Sequence, residues 1–341
     1  MSKKNGILFL SLFYFSTLVF SQQVTDTINK TDKSGKKQGF WKKKDEKGIL
    51  KYEGSFLDNY PIGEFKYYYE DGQTKAISKF FEKGLRSNTT TYYPNGNLMS
   101  EGYYISTHKD STWKYYNINR VLIREESYRA TLKNGEWKTY YDDGTLTDRI
   151  NWKNGKREGI WEQNYSGGTL KTQFKNDKLE GIYQVFTPEG KLRNQGKYKN
   201  NLKDGIWFWY DEKGLPNKKF VYKDNKLLGK YIVLYDTKKP VEISFDSIAY
   251  VYTNSGITYI KTVENLLLQT NTKFSEVVNL LDIDNFLLIN KNFLANLGSL
   301  KGIESYSSNM YKVQLSIQPE FEVIAEGESV IALKTMFQNF K

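Results

Sequence analysis

Apolar and polar residues alternate along most of the chain, in short segments that turn residues separate. In one segment, Leu146, Ile150 and Trp152 are apolar and polar residues lie between them. A period of two places these apolar side chains on one face of a β-strand. Asp143-Gly144 precedes the segment and Asn154-Gly155 follows it. Both pairs are typical of tight turns. The pattern therefore predicts a strand between two turns.

The same pattern recurs at intervals of twenty-four residues. The turn positions are Gly48, Gly72, Gly96, Arg120, Gly144, Gly168, Gly190 and Gly214. A first aromatic series comprises Trp41, Phe65, Trp113, Trp137, Trp161, Tyr183, Trp207 and Tyr231, with Thr89 in the remaining position. A second series comprises Phe56, Phe80, Tyr104, Tyr128, Trp152, Phe174, Tyr198 and Tyr222. The step from Gly168 to Gly190 is two residues shorter, which preserves the face of every side chain in a strand.

A lone hairpin of this size is unstable in water, so successive hairpins are expected to lie side by side and bury their aromatic rings against their neighbours. The rings are accordingly interpreted as core. The alternative is a stacking platform for nucleic acid bases or sugar rings. Trp137 and Tyr140 lie three positions apart, which places them on opposite faces of a regular strand. Either a bulge or burial on both faces would accommodate them.

The repeated pattern resembles the MORN repeat, in the variant form that is common in bacterial proteins. The resemblance extends over residues 39–236. It rests on Gly135, Trp137, Tyr140, Asp143, Gly144, Leu146 and Trp152, and on Gly205, Trp207, Tyr210, Gly214 and Tyr222. It implies a single-layer array of stacked β-hairpins. The units around Thr89 and Arg120 depart from the pattern, so a less regular stretch is expected there.

The amino terminus carries Lys3 and Lys4 before an apolar stretch from Ile7 to Phe20. This pattern is typical of a secretory signal peptide, here residues 1–21, and the stretch is short for a membrane span. The sequence therefore predicts an exported protein that is periplasmic, on the cell surface or secreted. The alternative is an uncleaved membrane anchor. Residues 22–38 are predicted to be a linker.

The pattern changes near Val241, where a second domain, 241–341, is predicted. Strands are expected around the Asn254–Gly256 turn, at 286–297 and at 311–318. Helices are expected at 273–281 and 329–340. The order of these pieces resembles the LytTR domain, a mainly β DNA-binding module of bacterial response regulators. The fold class is thus mainly β: a hairpin array followed by a small LytTR-like domain with short helices.

The resemblance is carried by Phe245-Asp246-Ser247-Ile248, by Phe286, Phe293 and Asn296, by Leu300, Gly302 and Ile303, and by the segment from Phe321 to Gly327. The family usually has Arg at the position of Leu288, His-Arg-Ser at the positions of Asn290, Lys291 and Asn292, and Val-Ser-Arg at those of Ala325, Glu326 and Gly327. This chain departs from the family at all of these polar positions. Asn290, Lys291 and Asn292 are the candidate contacts with DNA or another partner.

Charge separates the two regions. The net charge is +11 overall, −4 from Val241 onward and +13 between the predicted signal peptide and Val241. DNA recognition depends heavily on Arg and Lys, and no Arg follows Arg193. DNA binding is therefore expected to be lost in the second domain. The basic array could bind anionic lipid, anionic glycan or an acidic protein. Alternatively, its lysines are a solvated face that protects strand edges from pairing.

Catalysis finds no support in the sequence, and no cofactor or metal site is predicted. Cys is absent and His108 is the one histidine, which excludes disulfides, thiolate nucleophiles and common zinc motifs. Asp142-Asp143 lies in a predicted hairpin turn, which acidic residues favour. Asp282 and Asp284 lack the spacing of a calcium-binding loop. His108 is expected in an irregular linker, exposed to solvent.

The leading hypothesis is a non-enzymatic exported scaffold that binds a partner through its repeats, with a LytTR-like domain repurposed for protein contact. The second hypothesis is a DNA-binding transcriptional regulator with a sensory repeat region. A third is neutralisation of a co-encoded toxin, as resemblance to antitoxin-like repeat proteins implies.

Overall fold

The computed structural model describes residues 28–236, 239–282 and 284–338. The predicted signal peptide, 1–21, lies outside these residues, as does the first part of the predicted linker. The chain divides into two compact units, one ending at Gly96 and one beginning at Asn97.

The first unit is built from antiparallel strands, each paired with the strand before it in the sequence. They are β1 (Lys30–Thr31), β2 (Lys37–Lys44), β3 (Leu50–Leu57), β4 (Tyr60–Tyr68), β5 (Thr74–Phe81) and β6 (Arg86–Tyr92), with a short 3-10 helix at Glu82–Gly84. Strand pairing thus begins at Lys30, inside the segment that was predicted as a linker.

The second unit continues the hairpin pattern. Its repeat strands are β7 (Leu98–Ile105), β8 (His108–Tyr116), β9 (Leu122–Arg129), β10 (Leu132–Lys133), β11 (Gly135–Tyr140), β12 (Leu146–Lys153), β13 (Lys156–Tyr165), β14 (Gly168–Lys175), β15 (Lys178–Leu179), β16 (Gly181–Phe186), β17 (Leu192–Lys199), β18 (Leu202–Tyr210), β19 (Pro216–Lys223) and β20 (Lys226–Asp236). The prediction of a mainly β fold with repeated hairpins is confirmed. His108 begins a strand, so its predicted position in an irregular linker is wrong.

Glycine sets how deeply the rings of the first aromatic series are buried. Phe65, Trp113 and Trp207 are each only 2% exposed. In each case the ring lies flat against a glycine of the preceding strand, at Gly54, Gly102 and Gly196, where any Cβ would overlap it. The equivalent positions before Trp137 and Trp161 are Glu126 and Ile150, and these two rings are only half-buried. A glycine in the preceding strand therefore forms a seat for the ring.

The two aromatic series interleave within each unit. In the second unit the Trp207 ring lies 5.2 Å from Tyr198 and 6.2 Å from Tyr222, both edge-on. In the first unit the Phe65 ring lies 5.1 Å from both Phe56 and Phe80. Edge-to-face geometry at these separations is favourable for aromatic pairs. Each hairpin thus completes the core of its neighbour, as predicted.

The other face of the strands carries tyrosines bonded to carboxylates. Tyr140 donates a hydrogen bond of 2.8 Å to Glu125, whereas Trp137 donates through Nε1 to the carbonyl of Ser127. Tyr116 and Glu101 repeat the pair at 2.9 Å. Both Trp137 and Tyr140 are half-buried. Burial on both faces therefore accommodates the three-residue spacing, and the pairing of β11 with β12 also shifts register between Thr139 and Tyr140.

The units around Thr89 and Arg120, which depart from the repeat pattern, still form hairpins. Arg120 adopts a left-handed conformation, with φ of 66°, at the turn position that glycine fills in the other repeats. Its Nε donates to Asn97 Oδ1 at 2.8 Å, which supports the turn. In the first unit, Thr89 replaces the aromatic residue and its hydroxyl bonds Ser78 at 2.8 Å within the buried interior.

The carboxy-terminal part is a small β domain with two helices. Its elements are β21 (Lys239–Ser244), β22 (Ile248–Asn254), β23 (Ile257–Thr262), β24 (Leu267–Thr270), α1 (Phe274–Leu280), β25 (Phe286–Asn290), β26 (Phe293–Asn296), β27 (Leu300–Ser307), β28 (Met310–Leu315), β29 (Ile324–Ala325) and α2 (Glu328–Gln338), with 3-10 turns at Phe245–Ser247 and Leu297–Ser299. A five-stranded sheet has the order β24-β23-β22-β26-β25, and β27-β28-β29 form a second sheet. Both predicted helices are confirmed, and strands form in the predicted segments, although the segment 286–297 is divided into β25 and β26 by a turn.

The last repeat hairpin and the carboxy-terminal domain share one core. Ile232 and Leu234 of β20 pack in the same buried cluster as Phe245, Val277 and Leu294. β21 also pairs with β20, so the domain begins as an extension of the repeat sheet. The two regions therefore form a continuous structure. In the described residues, no helix is long and apolar enough to cross a membrane.

Candidate partner interface

The candidate contact residues lie in the turn between β25 and β26. Asn290 ends β25, and its Oδ1 accepts a hydrogen bond of 3.0 Å from the amide of Asn292. The carbonyl of Asn292 accepts from the amide of Thr253 on β22, also at 3.0 Å. Lys291 and Asn292 are exposed, whereas Asn290 is half-buried. The turn is thus held rigidly and presents two of its three side chains to solvent.

The fold brings this turn beside the segment before α2. Asn290 Nδ2 donates to the carbonyl of Ile324 at 2.9 Å, and Ser329 Oγ donates to the carbonyl of Ile289 at 2.7 Å. The segment contains Ala325, Glu326 and Gly327. Both stretches at which the chain departs from the LytTR pattern therefore belong to one surface, defined here as the 290/326 surface.

The 290/326 surface carries little positive charge. Ala325 is fully buried and cannot reach a ligand. Glu326 and Glu328 are exposed beside the turn, and Lys291 is the only cation in either stretch. Carboxylates repel phosphates, and each missing cationic contact weakens both DNA affinity and its dependence on salt. The 290/326 surface therefore offers one cation and two carboxylates to a ligand.

In the repeat array, one group of cations lies over aromatic rings. Lys133 Nζ lies 4.1 Å from the ring centre of Trp137 and 4.2 Å from that of Trp152. Lys203 lies 4.7 Å from Trp207 in a later repeat. Such cation–π contacts stabilise the stack by about 0.5–1 kcal/mol each at exposed sites. These lysines therefore have a structural role.

A second group of lysines flanks the hairpin turns and projects into solvent. The net charge of the array does not distinguish these lysines from those that lie over aromatic rings. The repeated letters KNGK, KNDK and KDNK at positions 153, 175 and 223 would have shown the second group in the sequence.

The acidic pairs Asp142-Asp143 and Asp282/Asp284, which were not predicted to be catalytic, contain residues that stabilise the fold. Asp143 Oδ1 accepts hydrogen bonds from the hydroxyl and the amide of Thr145, and these bonds lower the pKa of Asp143 below its usual value. Asp282 accepts from Asn285 at 2.9 Å and forms an ion pair with Lys230 of β20. His108 is exposed. Across the described ranges, no group of three potential ligands could hold a metal ion.

An open cleft of about 710 Å³ lies between the last repeat hairpins and α1. Its walls include Tyr210, Asn217, Tyr235, Glu276 and Asn279. Nearby, Lys218 Nζ donates to the carbonyl of Asn279 at 3.3 Å, and burial lowers the pKa of Lys218. These groups link the array to the domain.

Comparison with known proteins identifies both regions. Residues 238–336 match the family model described as the LytTr DNA-binding domain. The MORN repeat variant matches at residues 61–82, 88–106, 133–154 and 179–200. Both matched families are non-catalytic kinds. A comparison with curated proteins finds no match for the chain.

Two solved structures resemble parts of the chain. One is the LytTr DNA-binding domain of a putative methyl-accepting/DNA response regulator from Bacillus cereus, at 17% identity and a TM-score of 0.26, over 32% of this chain and 94% of that chain. The other is TcdB2-TccC3-TEV, at 13% identity and a TM-score of 0.16, over 68% of this chain and 15% of that chain. The family matches, which fall on the regions described above, show that this chain combines MORN repeats of the variant type at residues 61–200 with a LytTR domain at residues 238–336.

Proposed function

We propose that the chain is a non-enzymatic, exported binding protein. The repeat array binds a partner through its surface, and the LytTR domain makes protein contacts in place of DNA contacts. Export rests on the amino-terminal pattern of Lys3, Lys4 and the apolar stretch that follows. An exterior location would separate the domain from the chromosome.

The observation that carries the proposal is the composition of the 290/326 surface. Lys291 is accompanied there by Glu326 and Glu328, and the segment has no Arg. Long-range repulsion from a domain of net charge −4 acts in the same direction. The shared core supports the role of the domain as a cap on the array, because terminal units of repeat proteins must cover an otherwise exposed end.

A gel-shift titration with duplex DNA at low salt tests this proposal, using the chain without residues 1–21. The matched variants are Lys291→Ala, in the candidate turn, and Lys301→Ala, an exposed lysine elsewhere in the domain. We expect neither variant to change the shift, because any binding would come from the basic array. Micromolar binding that Lys291→Ala abolishes and Lys301→Ala preserves would overturn the proposal.

Export is tested separately by fractionating cells and sequencing the amino terminus of the mature protein. We expect an exterior fraction whose sequence begins near Gln22. An intact amino terminus in the cytoplasm would contradict export.

The second candidate function is DNA-binding regulation. It is favoured by the LytTr DNA-binding family model, which matches residues 238–336. In that case Asn290 and Lys291 would contact DNA, and a Lys291-dependent gel shift is the outcome that supports it.

A further inference from the structure

Four consecutive hairpin turns place lysines along one edge of the array in the second unit. This lysine edge is defined as Lys153, Lys156, Lys175, Lys178, Lys199, Lys223 and Lys226. The turns are contiguous because the amide of Asp177 bonds the carbonyl of Arg157, that of Asn201 bonds Leu179, and that of Asn225 bonds Lys203. Each turn thus rests on its neighbour.

The lysine edge places like charges directly opposite one another. The strand register pairs Lys153 with Lys156, Lys175 with Lys178, and Lys223 with Lys226. Directly opposed like charges destabilise a strand pair. All seven lysines are exposed, and in the described part of the chain only Lys223 forms an ion pair, with Asp204 at 3.1 Å. The fold therefore maintains a repeated unfavourable arrangement.

Apart from Asp224, which is exposed, and Asp204, which pairs with Lys223, acidic side chains on this edge hold the turns together. Asp177 Oδ1 accepts from the amide of Arg157 at 2.9 Å. Glu158 and Glu180 accept from the next turns, through the amides of Asn176 at 2.8 Å and Asn200 at 2.9 Å. These carboxylates fix the backbone of the turns that display the lysines. The cations are therefore preorganised, which reduces the entropy that a ligand must overcome on binding.

The opposite edge of the same hairpins has the opposite character. Its turns contain Asp142, Asp143, Glu189, Asp211 and Glu212. Lys191 Nζ is bonded there to the carbonyl of Glu212 at 2.9 Å. Positive charge is thus concentrated on one side of the array instead of being distributed for solubility.

The arrangement is linear. Strands are spaced about 4.8 Å apart, so successive turns present cations about 10 Å apart. Asn154, Asn176, Asn200 and Asn225 occupy the same turns, are exposed, and use their side-chain amides in no hydrogen bond among the described residues. The four turns contain neither Arg nor an aromatic residue. Nucleic acid recognition makes frequent use of both.

We propose that the lysine edge binds a linear anionic polysaccharide that runs along the array. The lysine ammonium groups would contact its carboxylates or sulfates, and the asparagine amides would bond its hydroxyl groups. This inference rests on the proposed function in binding and specifies its partner class and its residues.

The test measures binding to heparin and to alginate by calorimetry at low salt. The edge variant replaces Lys153, Lys156, Lys175 and Lys178 with Gln. The control variant replaces Lys191, Lys197, Lys213 and Lys301 with Gln, four exposed lysines outside the edge, with the same change in net charge. We expect the edge variant to lose at least about tenfold in affinity with a weaker salt dependence, and the control to lose less than about threefold.

Thermal unfolding is the check that both variants fold, and the edge variant should melt no lower than the parent because opposed charges have been removed. Equal losses in the two variants, or no loss in the edge variant, would overturn the inference. Tighter edge-dependent binding to phosphatidylglycerol vesicles or duplex DNA would also overturn it, in favour of a membrane or a nucleic acid. A Lys291-dependent DNA shift defeats the proposed function, whereas failure at the edge alone leaves it intact.

Discussion

The repeat array and the LytTR domain are both mainly β, but they bury their interiors in different ways. In the array, single rings such as Trp113 and Trp207 are buried against a glycine and the rings of adjacent strands. In the domain, aliphatic and aromatic side chains gather in a cluster around Phe293, Val313 and Leu333. The array core is therefore a chain of local contacts, whereas the domain is held by two compact clusters, this one and the cluster that it shares with β20.

This difference predicts how far the loss of stability from a core substitution extends. In repeat architectures each unit contacts only its neighbours, so a lesion loosens adjacent units first. A compact core transmits the loss to all of its elements. The shared cluster, which contains Ile232 of the array and Phe245 of the domain, is the boundary between local loosening in the array and loosening of the whole domain.

The largest expected effect comes from truncating a buried ring in each region. Trp113→Ala and Phe293→Ala should each lower the free energy of unfolding by about 3–5 kcal/mol, as large core truncations do. Hydrogen exchange by mass spectrometry should show faster exchange in β7–β11 for Trp113→Ala and throughout the domain for Phe293→Ala. Trp137→Ala, at a half-buried ring, is the control and should lose less. Uniform loss of protection across the chain in Trp113→Ala would contradict the local character of the array.

An intermediate effect is expected at the glycine seats. Gly102→Ala should cost about 1–3 kcal/mol because the new methyl group overlaps the Trp113 ring. Gly302→Ala in the domain is the control, since its Cβ would meet only the amide end of Gln314 at 3.1 Å. Urea unfolding measures both.

The double variant Gly102→Ala, Trp113→Ala sharpens this prediction. Without the ring, the methyl group has space, so the two losses should not add. Additive losses would show that Gly102 matters for another reason.

The smallest effect concerns tyrosine ionisation. Burial, together with the hydrogen bond to Glu125, raises the pKa of Tyr140 to about 12, and burial raises that of Tyr250 in the domain to about 12. Unfolded tyrosine ionises near pH 10, so the folded state holds these protons more tightly and stability falls as the pH rises from about 10 to about 12.

Replacement by Phe distinguishes the two tyrosines. Tyr140→Phe should cost about 1 kcal/mol at pH 7 because Glu125 loses a donor, whereas Tyr250→Phe should cost less. Both variants should flatten the decline in urea midpoint above pH 10. An unchanged alkaline decline in both would contradict the raised pKa values.

The hairpins could be predicted from the sequence because turn chemistry and strand alternation are local signals that repeat in register. Both predicted helices in the LytTR domain were found because the helical spacing of apolar residues is also a local signal. The glycine seats could not be predicted. Gly102 and Gly196 look like ordinary weak points in a strand until the cross-strand ring is known.

The core that β20 shares with the carboxy-terminal domain also could not be predicted from the sequence. Ile232 and Leu234 alternate like any strand residues, and nothing local shows that Phe245 and Val277 cover them. For the candidate site, the sequence placed Asn290, Lys291 and Asn292 inside one predicted strand segment, 286–297, whereas the structure divides that segment into β25 and β26 at this turn. Its contact with Ile324 joins residues thirty-four positions apart, which periodicity cannot reveal.

The fusion of β20 with the LytTR domain restricts how such a chain can change in length over evolution. Duplication or deletion of a hairpin upstream replaces one neighbour with a near copy, so the stack closes again around the change. Deletion of the hairpin formed by β19 and β20 would instead remove Ile232 and Leu234 from the cluster that contains Phe245. Relatives are therefore expected to vary in repeat number at the amino-terminal side and to keep the final hairpin unchanged.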